Sequence, residues 1–311
     1  MVGLEHMEPR EARPVSVGPR RGGGDSRIAS LRTLAQRLAR RKLPLLGLLI
    51  LLVVVATAIF APNLAPYSPT KQDLIARLLP PGSHSQIGLH LLGTDALGRD
   101  ILSRLIFGSR VSIVVGFSSV LVGALLGTSM GLVAGYIGGL WEDLIMRLVD
   151  LQLVFPFVVL ALVVVALLGP NLTNLIIVFA LTSWPIYARP VRAEVLSLKE
   201  RDFVVAARAI GSSHPAILLR HILPNTLAQV IVIASFQVAQ MVLLESAMSF
   251  LGFGVQPPTP TWGNMLADGR TYIPIAGWVT IFPGLAIMIT AAGINFLGDG
   301  LRDILDPKAE F

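Results

Sequence analysis

The chain has 311 residues, of which 53% are hydrophobic and only 14% charged, with a formal net charge of +6. A soluble domain carries roughly 25% charged residues, so this deficit, spread over several long apolar runs, excludes an ordinary soluble protein and indicates a polytopic membrane protein. Cysteine is absent, which excludes disulfides and thiolate metal sites. The positive charge sits mostly in an Arg-rich start, where a juxtamembrane tail binds anionic lipid and sets orientation, so it is no signal of nucleic acid.

Residues 1–42 read as a basic cytoplasmic tail. Its first 30 residues are rich in Gly, Pro and Arg, the composition of a disordered segment, and Leu31–Lys42 reads as a short basic amphipathic helix on the inner leaflet. The first transmembrane helix is predicted over 43–61 and is free of charge. A signal peptide is the rival, because Ala56-Thr57-Ala58 resembles a small-residue cleavage site. The run exceeds the roughly 7–15 residues of such an h-region and further spans follow, so an uncleaved anchor is preferred. An external loop over 62–109 comes next, then a core transmembrane region over 110–300, and a cytoplasmic tail over 301–311.

The expected fold is all-α with six transmembrane helices, at 43–61, 110–137, 142–168, 172–189, 226–250 and 277–298. Each is long enough, or nearly so, for a hydrocarbon core of about 30 Å at about 1.5 Å per residue. The fourth is interrupted by Trp184-Pro185, and a neighbouring helix is expected to satisfy the carbonyl that Pro185 frees. Ten Lys and Arg before the first span, and six between Arg189 and Arg220, put both stretches on the cytoplasmic side. Loop 62–109 holds Lys71, Arg77, Arg99 and Arg104, which conflicts in part; the long N-terminal tail is expected to dominate, leaving both termini inside.

Within the second span Gly123, Gly127, Gly131 and Gly135, followed by Gly139, recur every fourth residue. Such a ridge lets another backbone approach closely, for helix packing or for a sliding or subunit interface. Asp143, Arg147 and Asp150 lie on one face of the third span, where Asp143 and Arg147 are spaced to pair. Glu245 in the fifth span has two readings, lining a translocation path or making an inter-helix hydrogen bond; Met241 and Met248 join it as pathway candidates. No nucleotide-binding P-loop, no H-E-x-x-H and no G-x-S-x-G occurs. None of the five histidines falls in a predicted span, and His84 and His90 read as incidental rather than metal-binding.

The segment 199–224 is polar, basic and helix-forming between apolar runs. Lys199–Ile210 is predicted as a short helix with small residues at Ala206, Ala207 and Ala209, ended by Gly211 in a left-handed turn. Ser212-Ser213-His214-Pro215 restarts a helix that Pro224 is expected to close. Two short helices punctuated in this way form a stiff knob able to pass motion from a soluble partner into a bundle; the plain alternative is a connecting loop.

This segment resembles the EAA loop of the membrane subunits of ABC importers, with Ala206, Ala207, Gly211, Leu223 and Pro224 in register. Val205 stands where Glu is common, and His221 stands at an Ile position. Three further runs, from Leu92 to Arg104, Ser249 to Met265 and Leu297 to Pro307, resemble the C-type subunit of the dipeptide/oligopeptide/nickel permease family. Read for themselves, the first suggests a tight, hydrogen-bonded turn before an interfacial helix. The second suggests a stiff outer loop, anchored by Trp262 at the headgroups, that meets a binding protein or plugs an outer gate.

The resemblance implies a type I ABC importer transmembrane fold with cytoplasmic coupling helices, in a bacterial cytoplasmic membrane. It implies a non-catalytic subunit forming half of a path for short peptides, with nickel chelates, glutathione or another small solute as alternatives. It further implies a second related permease, two ATP-binding subunits carrying the ATP and Mg, and an external substrate-binding protein; this chain binds no cofactor itself. Phe203, Ala206, Ala207, Gly211, Ser212, His214, Pro215, Leu223 and Pro224 are the implied ATPase-coupling residues. Two other classes are weighed against this: an ion-coupled secondary carrier, which would show broken repeats with midplane charges, and an integral-membrane enzyme, which would show clustered catalytic motifs.

Overall fold

The computed structural model describes residues 42–305. The expectations for residues 1–41 and for the end of the C-terminal tail fall outside the described residues. Helix α1 (Lys42–Ile59) is followed by a single turn, α2 (Ala61–Leu64). The stretch up to residue 100 holds a 3-10 turn at Leu74–Ala76 and an antiparallel ribbon, β1 (Ser83–His84) with β2 (Leu89–His90). Then come α3 (Ile101–Ile137), α4 (Gly139–Val154), α5 (Phe157–Leu168) and α6 (Leu172–Leu198). The remainder is α7 (Asp202–Ala209), α8 (His214–Ile217), a π turn at Leu218–Ile222, α9 (Leu223–Phe250), α10 (Trp262–Gly269) and α11 (Trp278–Leu305).

Among the described residues four helical runs are long and apolar enough to cross a membrane: α1, α3, His214–Phe250 and α11. A fifth results only if α4 and α5 count as one span, and these are bent by 90°. By length and composition the expected six is therefore not reached. The remaining expected span corresponds to α6, which buries Thr182 and Ser183 and carries two internal prolines, Pro185 and Pro190.

The bend corrects the expectation of one helix over 142–168. Phe155 is extended (φ −85°, ψ 130°), and Pro156 stands at the N-cap of α5. Proline disfavours helical geometry in the residue before it and offers no N–H to the preceding turn. The apolar run on both sides hides this break from a reading based on hydropathy. The Asp143–Arg147 pair is corrected too: both residues are exposed, and α4 is instead tied to α6 by Glu142 with Arg192 and Asp150 with Arg189.

Helix α3 starts at Ile101, not at 110, because Asp100 caps it by accepting from Ser103 N (2.8 Å) and Ser103 Oγ (2.7 Å). Helix α6 runs on to Leu198, straight through its prolines. Gln152 of α4 supplies what Pro185 removes: its Nε2 donates to the carbonyls of Leu181 (2.9 Å) and Thr182 (2.8 Å), and its Oε1 accepts from Trp184 Nε1 (2.8 Å).

The glycine ridge of α3 faces α6. Gly123 meets Ala180 and Ser183, Gly127 meets Trp184 and Tyr187, Gly131 meets Ala188 and Val191, and Gly135 meets Arg192 and Val195. A Cβ added at Gly131 would stand 2.8 Å from Val191 Cβ, and one at Gly135 would stand 2.7 Å from Val195 Cβ. A second close crossing joins α1 to α11, where a Cβ at Gly47 would stand 2.7 Å from the backbone nitrogen of Leu297. Two apolar cores result. One gathers Ile101, Val115, Phe179, Met241, Met248 and Trp262; the other gathers Tyr187, Val191, Val195, Leu198, Ile217, Ile222 and Val230.

Loops 62–100 and 251–277 meet at one end of the bundle, the cap end; α7 and α8 stand at the other. If the ridge sets the α3–α6 distance, Gly131→Leu costs about 1–3 kcal/mol through overpacking, and the thermal midpoint of the detergent-solubilised protein falls. An unchanged midpoint would show that the two helices have slack there.

Candidate functional site

The site begins where α6 ends. Helix α7 buries Val204 and Ala207 and turns Phe203, Val205, Ala206, Arg208 and Ala209 outward. It closes on Gly211, whose φ of +83° only glycine adopts without strain. Ser212 N donates to Ala207 O (3.0 Å) and Gly211 N donates to Arg208 O (3.1 Å), the paired closure of a Schellman end. Ile210, 82% exposed, stands at the tip.

Helix α8 starts at His214 with Pro215 in its first turn, as a helix start tolerates. It does not end at Pro224. The chain passes through the π turn and Leu223–Pro224 open α9, where a proline in the first turn is likewise tolerated. The second arm of the knob is thus the foot of a membrane-spanning run, not a separate short helix. The first arm is shorter than predicted, since Lys199 caps α6 and Asp202 starts α7.

The knob is seated, not suspended. Val204, Ala207, Ile217 and Ile222 pack with Val191, Val195 and Leu198 of α6 and Val230 of α9. Tyr136 Oη and His214 Nδ1 are 2.8 Å apart with their rings edge to face, and Lys199 Nζ donates to Gly135 O (3.4 Å). The Phe203 and His221 rings lie 6.4 Å apart. Sequence reasoning named the exposed side and the punctuation of this segment. It missed the seat, although Val204 with Ala207 three residues on is a readable apolar stripe, and it missed Tyr136 and Lys199, for which it held no signal.

The pathway candidates lie elsewhere. Glu245 is completely buried, as are Met241 and Met248, in the core between α3 and α9. Its carboxylate accepts from Ser249 Oγ (2.7 Å) and from Ser112 Oγ of α3 (3.2 Å), so in this state it makes the inter-helix hydrogen bond, the second of its two readings. The structure does not bring these three residues near the knob.

At the cap end charged groups are buried together. Asp95 accepts from Leu97 N (2.9 Å), Arg99 N (3.0 Å) and Arg99 Nε (2.7 Å), and it pairs with Arg104. Asp268 of α10 accepts from the Nη2 atoms of Arg99 (3.1 Å) and Arg104 (3.3 Å). His90 is structural, with Nδ1 2.9 Å from Asp100 Oδ1 and Nε2 2.9 Å from Ser85 Oγ. Trp262 is buried in the protein and is not the expected exposed anchor. It is 3% exposed, packs on Gly108 and donates from Nε1 to Leu105 O (3.0 Å), because the glycine leaves room for an indole. Among the described residues no three His, Asp or Glu side chains stand together as metal ligands.

Residues 127–311 match the family described as "Binding-protein-dependent transport system inner membrane component", and residues 30–81 match the "N-terminal TM domain of oligopeptide transport permease C". The dipeptide transport system permease protein DppC of Alkalihalophilus pseudofirmus is 42% identical over 281 residues, covering 90% of this chain and 91% of that one. The di/tripeptide transport system permease protein DppC of Pseudomonas aeruginosa is 46% identical over 277 residues, covering 88% and 90%. Among solved structures, a chain of the MetNI methionine ABC transporter in an inward-facing conformation aligns with a TM-score of 0.52 at 19% identity, covering 65% of this chain and 96% of that one.

The two acids of the cap differ in what their loss leaves behind. Asp95→Asn leaves two buried guanidiniums with only the half-exposed Asp268 as a charged partner and is expected to cost about 3–5 kcal/mol. Asp268, whose side chain is 44% exposed, is expected to cost no more than about 1 kcal/mol as Asp268→Asn. Thermal denaturation of the two variants side by side checks the ranking; equal losses would refute it.

Proposed function

We propose a specific role for this chain, which belongs to the binding-protein-dependent transport system inner membrane components and, within them, to the C-type permeases of peptide ABC importers. It forms one half of a path for short peptides through the cytoplasmic membrane, the other half coming from a second, related permease. Two ATP-binding subunits dock from inside and carry the ATP and Mg; an external binding protein delivers the peptide to the cap end. This chain does no chemistry of its own, and both of its termini are cytoplasmic.

One observation carries the docking role: a helix–Gly–helix knob, fixed to the bundle by Val204, Ala207, Ile217 and Ile222, that leaves Phe203, Val205, Ala206 and Ile210 uncovered. Val205 in place of an acidic residue offers no ion pair from that position, so packing carries the contact there. Nucleotide-driven closure of the ATPases moves the knob, and the bundle exchanges an inward-open for an outward-open state. Such coupling requires two discrete states that each site favours differently. Glu245, Met241 and Met248 line the path in the second state, after α3 and α9 part.

The chain holds no cysteine, so a single Cys at Ala206 or Ala209 is a unique crosslinking handle. In the assembled complex it is expected to capture the ATP-hydrolysing subunit; labelling only from outside intact cells would refute the docking. Gly211→Pro, which cannot hold φ +83° and loses the bond to Arg208 O, is expected to abolish uptake. Gly211→Ala meets nothing within 4 Å and should cost only about 1–2 kcal/mol. Full uptake and full peptide-stimulated ATPase activity in the proline variant would sink the coupling role. For the pathway, a Cys at Met241 should react with a thiol reagent only during turnover; equal reaction at rest would count against a second state.

A further inference from the structure

We propose that Tyr136 and His214 form the clasp through which the knob drives α3, making α3 the strut that carries the knob's displacement to the cap. The inference rests on the reading that the knob docks on an ATPase, and it adds the route by which the motion leaves it.

The apolar seat joins the knob mainly to α6 and α9, the helices it is already continuous with, and Ala124, Leu132 and the Tyr136 ring of α3 pack against its edge. Polar contact with α3 comes from Tyr136 to His214 and from Lys199 to Gly135, on adjacent residues of the last turn of α3. His214 is the first residue of the run His214–Phe250 and lies three positions after Gly211. Any pivot about that glycine, or tilt of that run at its foot, therefore displaces His214. The hydrogen bond and the edge-to-face ring contact, with centroids 5.7 Å apart, give this joint a direction that apolar packing lacks.

Helix α3 is fitted to carry the displacement. Its 37 residues span roughly 55 Å without a proline, and the glycine ridge holds it against α6 over about a third of that length. At its far end Leu105 O accepts from Trp262, Gly108 seats the same indole, and Arg104 pairs with Asp268. Like α9, it touches both the knob and α10 of the cap, but it reaches the knob through a directional polar contact and not through chain continuity. The clasp itself is open to water, so breaking it leaves no buried group without a partner. Its loss is expected to show in coupling and not in folding.

The test uses the complex assembled with its partner subunits in lipid vesicles and reads ATP hydrolysed per labelled dipeptide imported. Tyr136→Phe keeps the ring and removes the hydroxyl; His214→Ala removes both contacts; His214→Asn places an amide where Nδ1 stood. Tyr136→Phe and His214→Ala should each raise the ratio by about threefold, the size that one net hydrogen bond supports. The double variant should do no worse than either single, and His214→Asn should stay near the unsubstituted ratio, with thermal midpoints unchanged throughout. An unchanged ratio in both single variants, additive effects, or an Asn variant as impaired as the Ala variant would overturn the clasp. A Cys at Ala206 separates the two readings. Crosslinking with an unchanged ratio refutes the clasp alone, whereas no crosslinking to the ATPase removes the docking and the clasp with it.

Discussion

Everything in this bundle is arranged around the approach of α3 to α6. That approach is possible because Gly123, Gly127, Gly131 and Gly135 present backbone where other residues would present side chains. In a bilayer, where lipid is as apolar as leucine, helices associate through close van der Waals contact and not through hydrophobic burial. The ridge therefore sets the spacing of a pair to which the other elements attach. Helix α9 packs on α3 through the Glu245–Ser112 bond, α4 is tied to α6 through Gln152 and two ion pairs, and the knob grows directly from the end of α6.

The two ends of the pair are held by different physics. The cap is held by charge and hydrogen bonding, with Asp95 and Asp268 between Arg99 and Arg104 and with tryptophan N–H groups on the carbonyls of Leu105 and Thr94. The knob is held by apolar packing with a thin polar clasp. Buried ion pairs resist piecemeal loosening, because removing one partner strands the other. Apolar packing tolerates sliding. On the proposed reading, the end that meets a moving partner is the one held by packing.

Much of this was legible in the sequence, and the failures have physical causes. The four-residue glycine period, the left-handed stop at Gly211 and the restart at Pro215 are local signals, set by one residue's conformational freedom. The break at Pro156 was missed because hydropathy is blind to backbone geometry: apolar residues flank that proline on both sides. Trp262 was expected at the headgroups from the interfacial preference of tryptophan, whereas its position is decided by the gap at Gly108, 154 positions away in the chain. The early start of α3 was recoverable from Asp100 and Ser103, a cap signature that the apolar pattern overshadowed. The contact of Tyr136 with His214 spans 78 positions and had no local trace.

The π turn at Leu218–Ile222 has a consequence for chain length. Ile217 and Ile222 are both fully buried in the same core although five residues separate them. On an ordinary α-helix that spacing would swing them roughly 140° apart; the wider turn brings them back into line. The stretch between Gly211 and Pro224 thus contains one surplus residue that acts as a phase correction. Excising it would let the helix wind evenly and carry one isoleucine out of its socket. A gear with one tooth removed still turns, but it no longer meshes.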